Sequence, residues 1–66
     1  MDAKKISETL RLLRGDKTLE TVSKETGLTV SALSNYENGI RIPRDEIKMI
    51  IANYYQKSVE EIFFSQ

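Results

Sequence analysis

The chain has 66 residues, room for one domain and not for a substrate cleft built between two. Ten Lys and Arg balance ten Asp and Glu, so net charge selects neither a nucleic acid nor an anionic membrane as partner. Cys and His are both absent, which excludes a disulfide framework, a thiolate zinc site and the usual general base. No apolar run approaches the ~18 residues of a membrane span, and no signal-peptide core opens the chain. The expectation is a small, soluble, cytoplasmic binding domain covering residues 1–66.

Taken in chain order, Ile6, Leu10 and Leu13 recur at spacings of four and three, which predicts a first helix over 3–14, ended at Gly15. Thr18 stands before the run 19–26, and Thr29 before 30–38. A hydroxyl at each place can accept from the orphan amides of a first helical turn. Gly27 and Gly39 follow these two runs, where a left-handed residue can end a helix. After Pro43, Ile47, Ile50, Ile51, Tyr54 and Tyr55 fall at i, i+3, i+4, i+7 and i+8, an amphipathic helix over 45–55. Ser58 with Glu61 three residues on has capping-box spacing and opens a last helix over 59–64. No stretch alternates as a half-buried strand would, so the fold class is all-α with five helices.

The third helix is compositionally odd. Its Val30, Ser31, Ser34, Asn35 and Asn38 share one face and carry no charge, whereas exposed helix faces usually hold Lys, Glu or Arg. One reading is a solvated face on a structural core. The other is a face that enters the DNA major groove: small side chains permit close approach, an Asn amide pairs with adenine, and a Val methyl meets a thymine methyl. A short helix, a Gly-containing turn and a second capped helix form the helix-turn-helix unit, in which the second helix reads bases.

The run from Thr18 through Gly27-Leu28-Thr29 to Leu33-Ser34-Asn35-Tyr36-Glu37-Asn38-Gly39, with Pro43 beyond it, resembles the Cro/repressor-type helix-turn-helix family of phage repressors and their relatives. Ile51-Ala52, Tyr54-Tyr55 and Ser58 to Phe63 resemble that family's fourth and fifth helices, so the likeness covers nearly the whole chain. It implies a compact lambda-repressor-like domain with the helix-turn-helix at helices two and three. By position it implies base-reading for Val30, Ser31, Ser34 and Asn35. It implies phosphate contacts for Thr18, Leu19, Thr29, Asn38, Arg41 and Arg44, and a structural ion pair between Arg11 and Glu37. Leu19 stands where many members have a phosphate-binding Gln, and Thr21 where a Glu is frequent. The turn at Gly15-Asp16-Lys17 is one residue longer than the commonest form. Asp45 and Lys48 replace aliphatics of the fourth helix.

Charge is arranged locally: net +2 over 1–14, −2 over 15–38, +1 over 39–48 and −1 beyond. For Arg41 and Arg44, ordinary solvated charge remains the alternative to phosphate contact; for Lys17 solvated charge is the expectation, and Arg14 is a further candidate for phosphate. With so few cations, two copies on one operator supply affinity that a single module lacks. Met49, Tyr54 and Phe64 are candidate dimer contacts, the alternative being that they finish a small core. The expected function is a sequence-specific regulator of transcription, a repressor that binds a palindromic operator in double-stranded DNA as a homodimer. The alternative is a protein-interaction module, antitoxin-like, that keeps the fold. Nothing points to a nucleophile–base pair, a metal, a cofactor or a small-molecule ligand, so no enzyme activity is expected.

Overall fold

The computed structural model describes residues 2–64. It contains α1 (Ala3–Arg14), α2 (Leu19–Thr26), α3 (Val30–Glu37), α4 (Asp45–Tyr54) and α5 (Glu60–Phe64), with no strand among the described residues. Each boundary lies within one residue of the sequence expectation. No helix among the described residues is long and apolar enough to cross a membrane.

Local chemistry explains where the helices begin. The Thr18 hydroxyl accepts from the Thr21 amide at 3.1 Å, and the Thr29 hydroxyl accepts from the Ala32 amide at 3.0 Å. Ser58 and Glu61 make the reciprocal capping box: the Ser58 amide donates to the Glu61 carboxylate at 2.8 Å, and the Glu61 amide to the Ser58 hydroxyl at 3.0 Å. These bonds hold the Glu61 carboxyl below the usual carboxylate range. A fourth cap was not foreseen: the Asp2 carboxylate accepts from the amides of Lys4 and Lys5. Gly27 closes α2 at φ 80°, its amide donating to the Ser23 carbonyl. Gln56 takes the same left-handed region after α4 at φ 57°, a place where glycine is the easier residue.

The core draws on every helix: Ile6 and Leu10 from α1, Val22 from α2, Leu33 and Tyr36 from α3, Ile51 and Ala52 from α4, Ile62 and Phe63 from α5. The first helix packs on α3 and α5, and the second on α3 and α4. The last helix is wound as a π-helix. Wide winding reduces the angle between successive side chains, so Ile62 and Phe63 both turn inward while Phe64 stays half exposed.

The fourth helix corrects the expected apolar stripe. Ile51 is buried, but Ile50 lies at the surface, and the buried positions beside Ile51 are Lys48 and Ala52. The Lys48 stem runs along the core side of α4 and carries its ammonium above the rings of Phe63 and Phe64, 5.9 and 5.2 Å from their centroids. A long cationic side chain covers apolar surface in this way. Its anionic partner, Asp45 at 3.4 Å, is almost wholly exposed, so solvent weakens their attraction.

A side chain of similar volume without a buried charge should therefore pack better. Lys48→Met is expected to stabilise the fold by about 1 kcal/mol, a rise of roughly 4–8 °C in thermal midpoint for a domain of this size. A lowered midpoint by circular dichroism would show that the ammonium–ring contacts outweigh its desolvation.

Candidate nucleic-acid interface

Helices α2 and α3 meet at the turn Gly27-Leu28-Thr29, which side chains brace from within. The Ser23 hydroxyl donates to the Leu28 carbonyl, the Thr26 hydroxyl donates to the Val22 carbonyl at 2.7 Å, and the Leu28 amide donates back to the Thr26 hydroxyl at 3.2 Å. Leu28 packs against the core. The turn thus fixes the angle between the two helices by hydrogen bonds that do not depend on solvent.

On α3, Leu33, Tyr36 and Glu37 face inward, which leaves Val30, Ser31, Ser34, Asn35 and Asn38 on the outer side. Ser31 is exposed, and Val30, Ser34 and Asn35 are part-exposed. Among the described residues neither the Ser31 hydroxyl nor the Asn35 side-chain amide has a hydrogen-bond partner. Ser34 accepts from the Asn38 amide at 3.1 Å. The Asn38 side chain is engaged at both ends: its nitrogen also donates to the Ser34 carbonyl at 2.8 Å, and its oxygen accepts from Arg11 Nη2 at 2.8 Å.

That last bond corrects the expected ion pair. Glu37 pairs with Arg14, not with Arg11. Arg14 Nε lies 2.8 Å from Glu37 Oε2, and Nη2 lies 2.9 Å from Oε1, a bidentate fork. The remaining Nη1 donates to the Lys17 carbonyl at 2.6 Å and so ties down the turn after α1. The hydrogen bonds to Glu37 hold the Arg14 guanidinium above its usual range. Arg11 and Arg14 are three apart and share a helix face. Arg14, at the end of α1, is the one that reaches both the carboxylate and the turn. Arg11 instead sits exposed at the edge of the outer face of α3, a cation that the sequence had placed inside.

The expected phosphate-contacting groups are distributed as follows. Thr18 and Thr29 cap their helices, and their hydroxyls are engaged there, with first-turn amides beside them. The Thr21 hydroxyl bonds to that of Thr18 at 3.0 Å. Leu19 packs against the core, which leaves its backbone amide as the only group it can offer a phosphate. Arg41 and Arg44 are exposed and make no ion pair among the described residues. They line an open groove of about 600 Å³ beside α3, together with Leu28, Thr29 and Ile42. Lys17 is committed elsewhere. Its ammonium is 2.9 Å from the Tyr54 hydroxyl, 3.5 Å from Glu25 and 4.7 Å from the Tyr54 ring centroid. The Tyr54 hydroxyl in turn donates to Glu25; it draws the Lys17 ammonium above its usual range and the Glu25 carboxyl below. Of the three candidate dimer residues, Met49 and Phe64 are open to solvent, whereas Tyr54 is part-buried in this tether.

Two outcomes follow from the inner side of α3. Glu37→Ala is expected to cost about 3 kcal/mol, because it strands the Arg14 fork, while Arg11→Ala costs less than about 1 kcal/mol. Equal losses in urea melts would return the pair to Arg11. Burial, with the Glu37 carboxylate nearby, pushes the Tyr55 phenol up to about 12. An unfolded phenol ionises near pH ~10. The contribution of Tyr55 is therefore complete below pH ~10 and lost as pH rises towards ~12. Tyr55→Phe should flatten the fall in stability over that window; an identical slope would mean the phenol is not held neutral by the fold.

The sequence model of the helix-turn-helix family matches residues 8–62 of the chain, from within α1 to within α5. Comparison with characterised proteins and with solved structures gives no match.

Proposed function

This chain belongs to the Cro/repressor-type helix-turn-helix family of DNA-binding regulators, and we propose that it is a sequence-specific repressor that occupies a palindromic operator as a homodimer, with α3 in the major groove. The observation that carries this reading is the outer face of α3. Ser31 and Asn35 present polar groups with no partner among the described residues, and the one ionised residue of the helix, Glu37, is turned inward and paired. Groups of this kind suit hydrogen bonding to base edges, because no charge on the face has to be stripped of water before contact. Val30 and Ser34 complete the base-facing set.

Phosphates are met by the first-turn amides at Thr18, Leu19 and Thr29, by the backbone near Asn38, and by Arg41 and Arg44. Amides at helix N-termini favour anions through both their unpaired N–H groups and the helix dipole. Such contacts need no net positive charge, which fits a chain whose formal charge is zero. One module buries about 600–1,000 Å² on DNA. A second copy, docked through the surface of Met49 and Phe64, which are 59% and 52% exposed, adds the affinity and half-site symmetry that one lacks. The repressor acts in the cytoplasm by excluding other proteins from its site.

A second reading has one observation in its favour: Leu19, at the start of α2, packs part-buried against the core and has no side-chain donor for a phosphate. On that reading the domain docks on a protein.

Selection of bound duplexes from a random-sequence pool at moderate salt separates the two. The expected product is an inverted repeat whose half-site centres lie about one helical turn apart. In Asn35→Ala the preference at one position of each half-site should relax by about 1–3 kcal/mol, with the melting temperature unchanged. A folded chain that enriches no sequence would favour the protein-docking reading.

A further inference from the structure

The loop between α3 and α4 holds an aliphatic side chain that neither the core nor the base-facing set uses. Ile40 is 72% exposed, yet its backbone is fastened. Its amide donates to the Asn35 carbonyl at 3.0 Å, the Arg41 amide donates to the same carbonyl at 3.3 Å, and the Gly39 amide donates to the Tyr36 carbonyl at 3.3 Å. Gly39 makes the required bend at φ 71°, where other residues are strained. At the far end Pro43 is fully buried, and the Arg44 carbonyl accepts from the Lys48 amide at 2.9 Å. The loop is thus pinned at both ends, first to the carbonyl of a residue on the outer face of α3.

A side chain carried on a fastened backbone gives up little further freedom when a partner covers it. Its neighbours along the loop are Arg41 and Arg44, exposed and unpaired among the described residues. An aliphatic group beside guanidinium groups matches a partner that alternates anionic and apolar groups at short range. The edge of a DNA strand has this pattern, with deoxyribose carbons between successive phosphates. Continuity with α3 through the Asn35 carbonyl places the loop beside the proposed groove contact, which favours DNA over a lipid surface.

We infer that Ile40 packs against the deoxyribose edge of the strand flanking the major groove and supplies a salt-independent, sequence-indifferent part of the affinity. The inference rests on the DNA-binding reading above and deepens it. Its physical basis is the small number of unpaired cations beside α3. Each phosphate neutralised contributes about −0.9 to the slope of log affinity against log salt, so a protein with few such contacts draws a larger share of its binding from terms that salt does not screen.

The test compares the full chain with Ile40→Ala and Arg41→Ala. Affinity is measured for a selected duplex and for a scrambled one over a range of salt concentrations, with thermal melts in parallel. Ile40→Ala is expected to melt with the parent and to bind both duplexes about tenfold more weakly at every salt concentration. That is the size expected for partial burial of the three carbons removed. Its salt slope stays that of the parent, whereas Arg41→Ala lowers the magnitude of the slope by about one.

Four results would overturn the assignment. Unchanged affinity for both duplexes would remove the contact. A loss confined to the selected duplex would make Ile40 a reader of base sequence. A melting midpoint lowered by several degrees would make it part of the fold. Binding of phosphatidylglycerol vesicles that Ile40→Ala abolishes, with DNA affinity intact, would identify a membrane contact instead. A parent chain that binds no duplex at all would remove the DNA reading itself, a failure distinct from these.

Discussion

The Arg14–Glu37 fork is the interaction on which the remainder of the molecule depends. Glu37 ends α3 and Arg14 ends α1, so two parallel N–H···O contacts at 2.8 and 2.9 Å fix the inner side of α3 against the first helix. The same guanidinium holds the Lys17 carbonyl and thereby sets where α2 begins. A charge-assisted bidentate pair is directional as well as strong, and here it orients the helix whose opposite side is left for a partner. With the only acidic group of α3 neutralised on its inner side, the outer side carries small and amide-bearing residues alone. The inward pair and the uncharged outer face are two consequences of one placement.

Around this pair, a small set of polar links reaches into neighbouring elements. Lys17, Tyr54 and Glu25 join the turn after α1, the end of α4 and the body of α2. Asn38 joins α3 to Arg11 of α1. Lys48 covers α5 with its stem and faces two aromatic rings with its ammonium. A chain of 66 residues buries a modest core, and side chains that are polar by type but packed along their stems extend it. Of the cations outside these links, Arg41 and Arg44 stand on the loop after α3, at the surface proposed to meet DNA, while Lys4 and Lys5 lie on α1, Lys24 on α2 and Lys57 beyond α4.

Helix positions were legible in the sequence because their signals are local. Thr18, Thr29 and the Ser58–Glu61 box act within their own first turns, so a four-residue window contains all the chemistry that decides them. The outward set on α3 was legible for the same reason: helical spacing separates Leu33, Tyr36 and Glu37 from Ser31, Ser34 and Asn35. Which arginine meets Glu37 was not, because Arg11 and Arg14 lie on one face of α1 and the choice depends on the level at which α3 crosses it. Ile50 and Lys48 exchanged their expected places because the stem of a lysine packs as an aliphatic chain does, and composition does not record where its end emerges. Gln56 in a left-handed conformation and Ile40 on a pinned loop leave no signal in residue type. Each became visible only as a dihedral angle, a hydrogen bond or an exposed area.

On the reading proposed above, the face opposite the Arg14–Glu37 pair is the surface that meets DNA. Amide chemical shifts recorded by NMR while a selected operator duplex is added test it directly. The largest changes are expected at Val30, Ser31, Ser34 and Asn35, at the first turns of α2 and α3, and along residues 39–44, with the core amides of Leu10 and Ile62 unmoved. Changes concentrated on the outer side of α4 and on α5, with α3 silent, would contradict it.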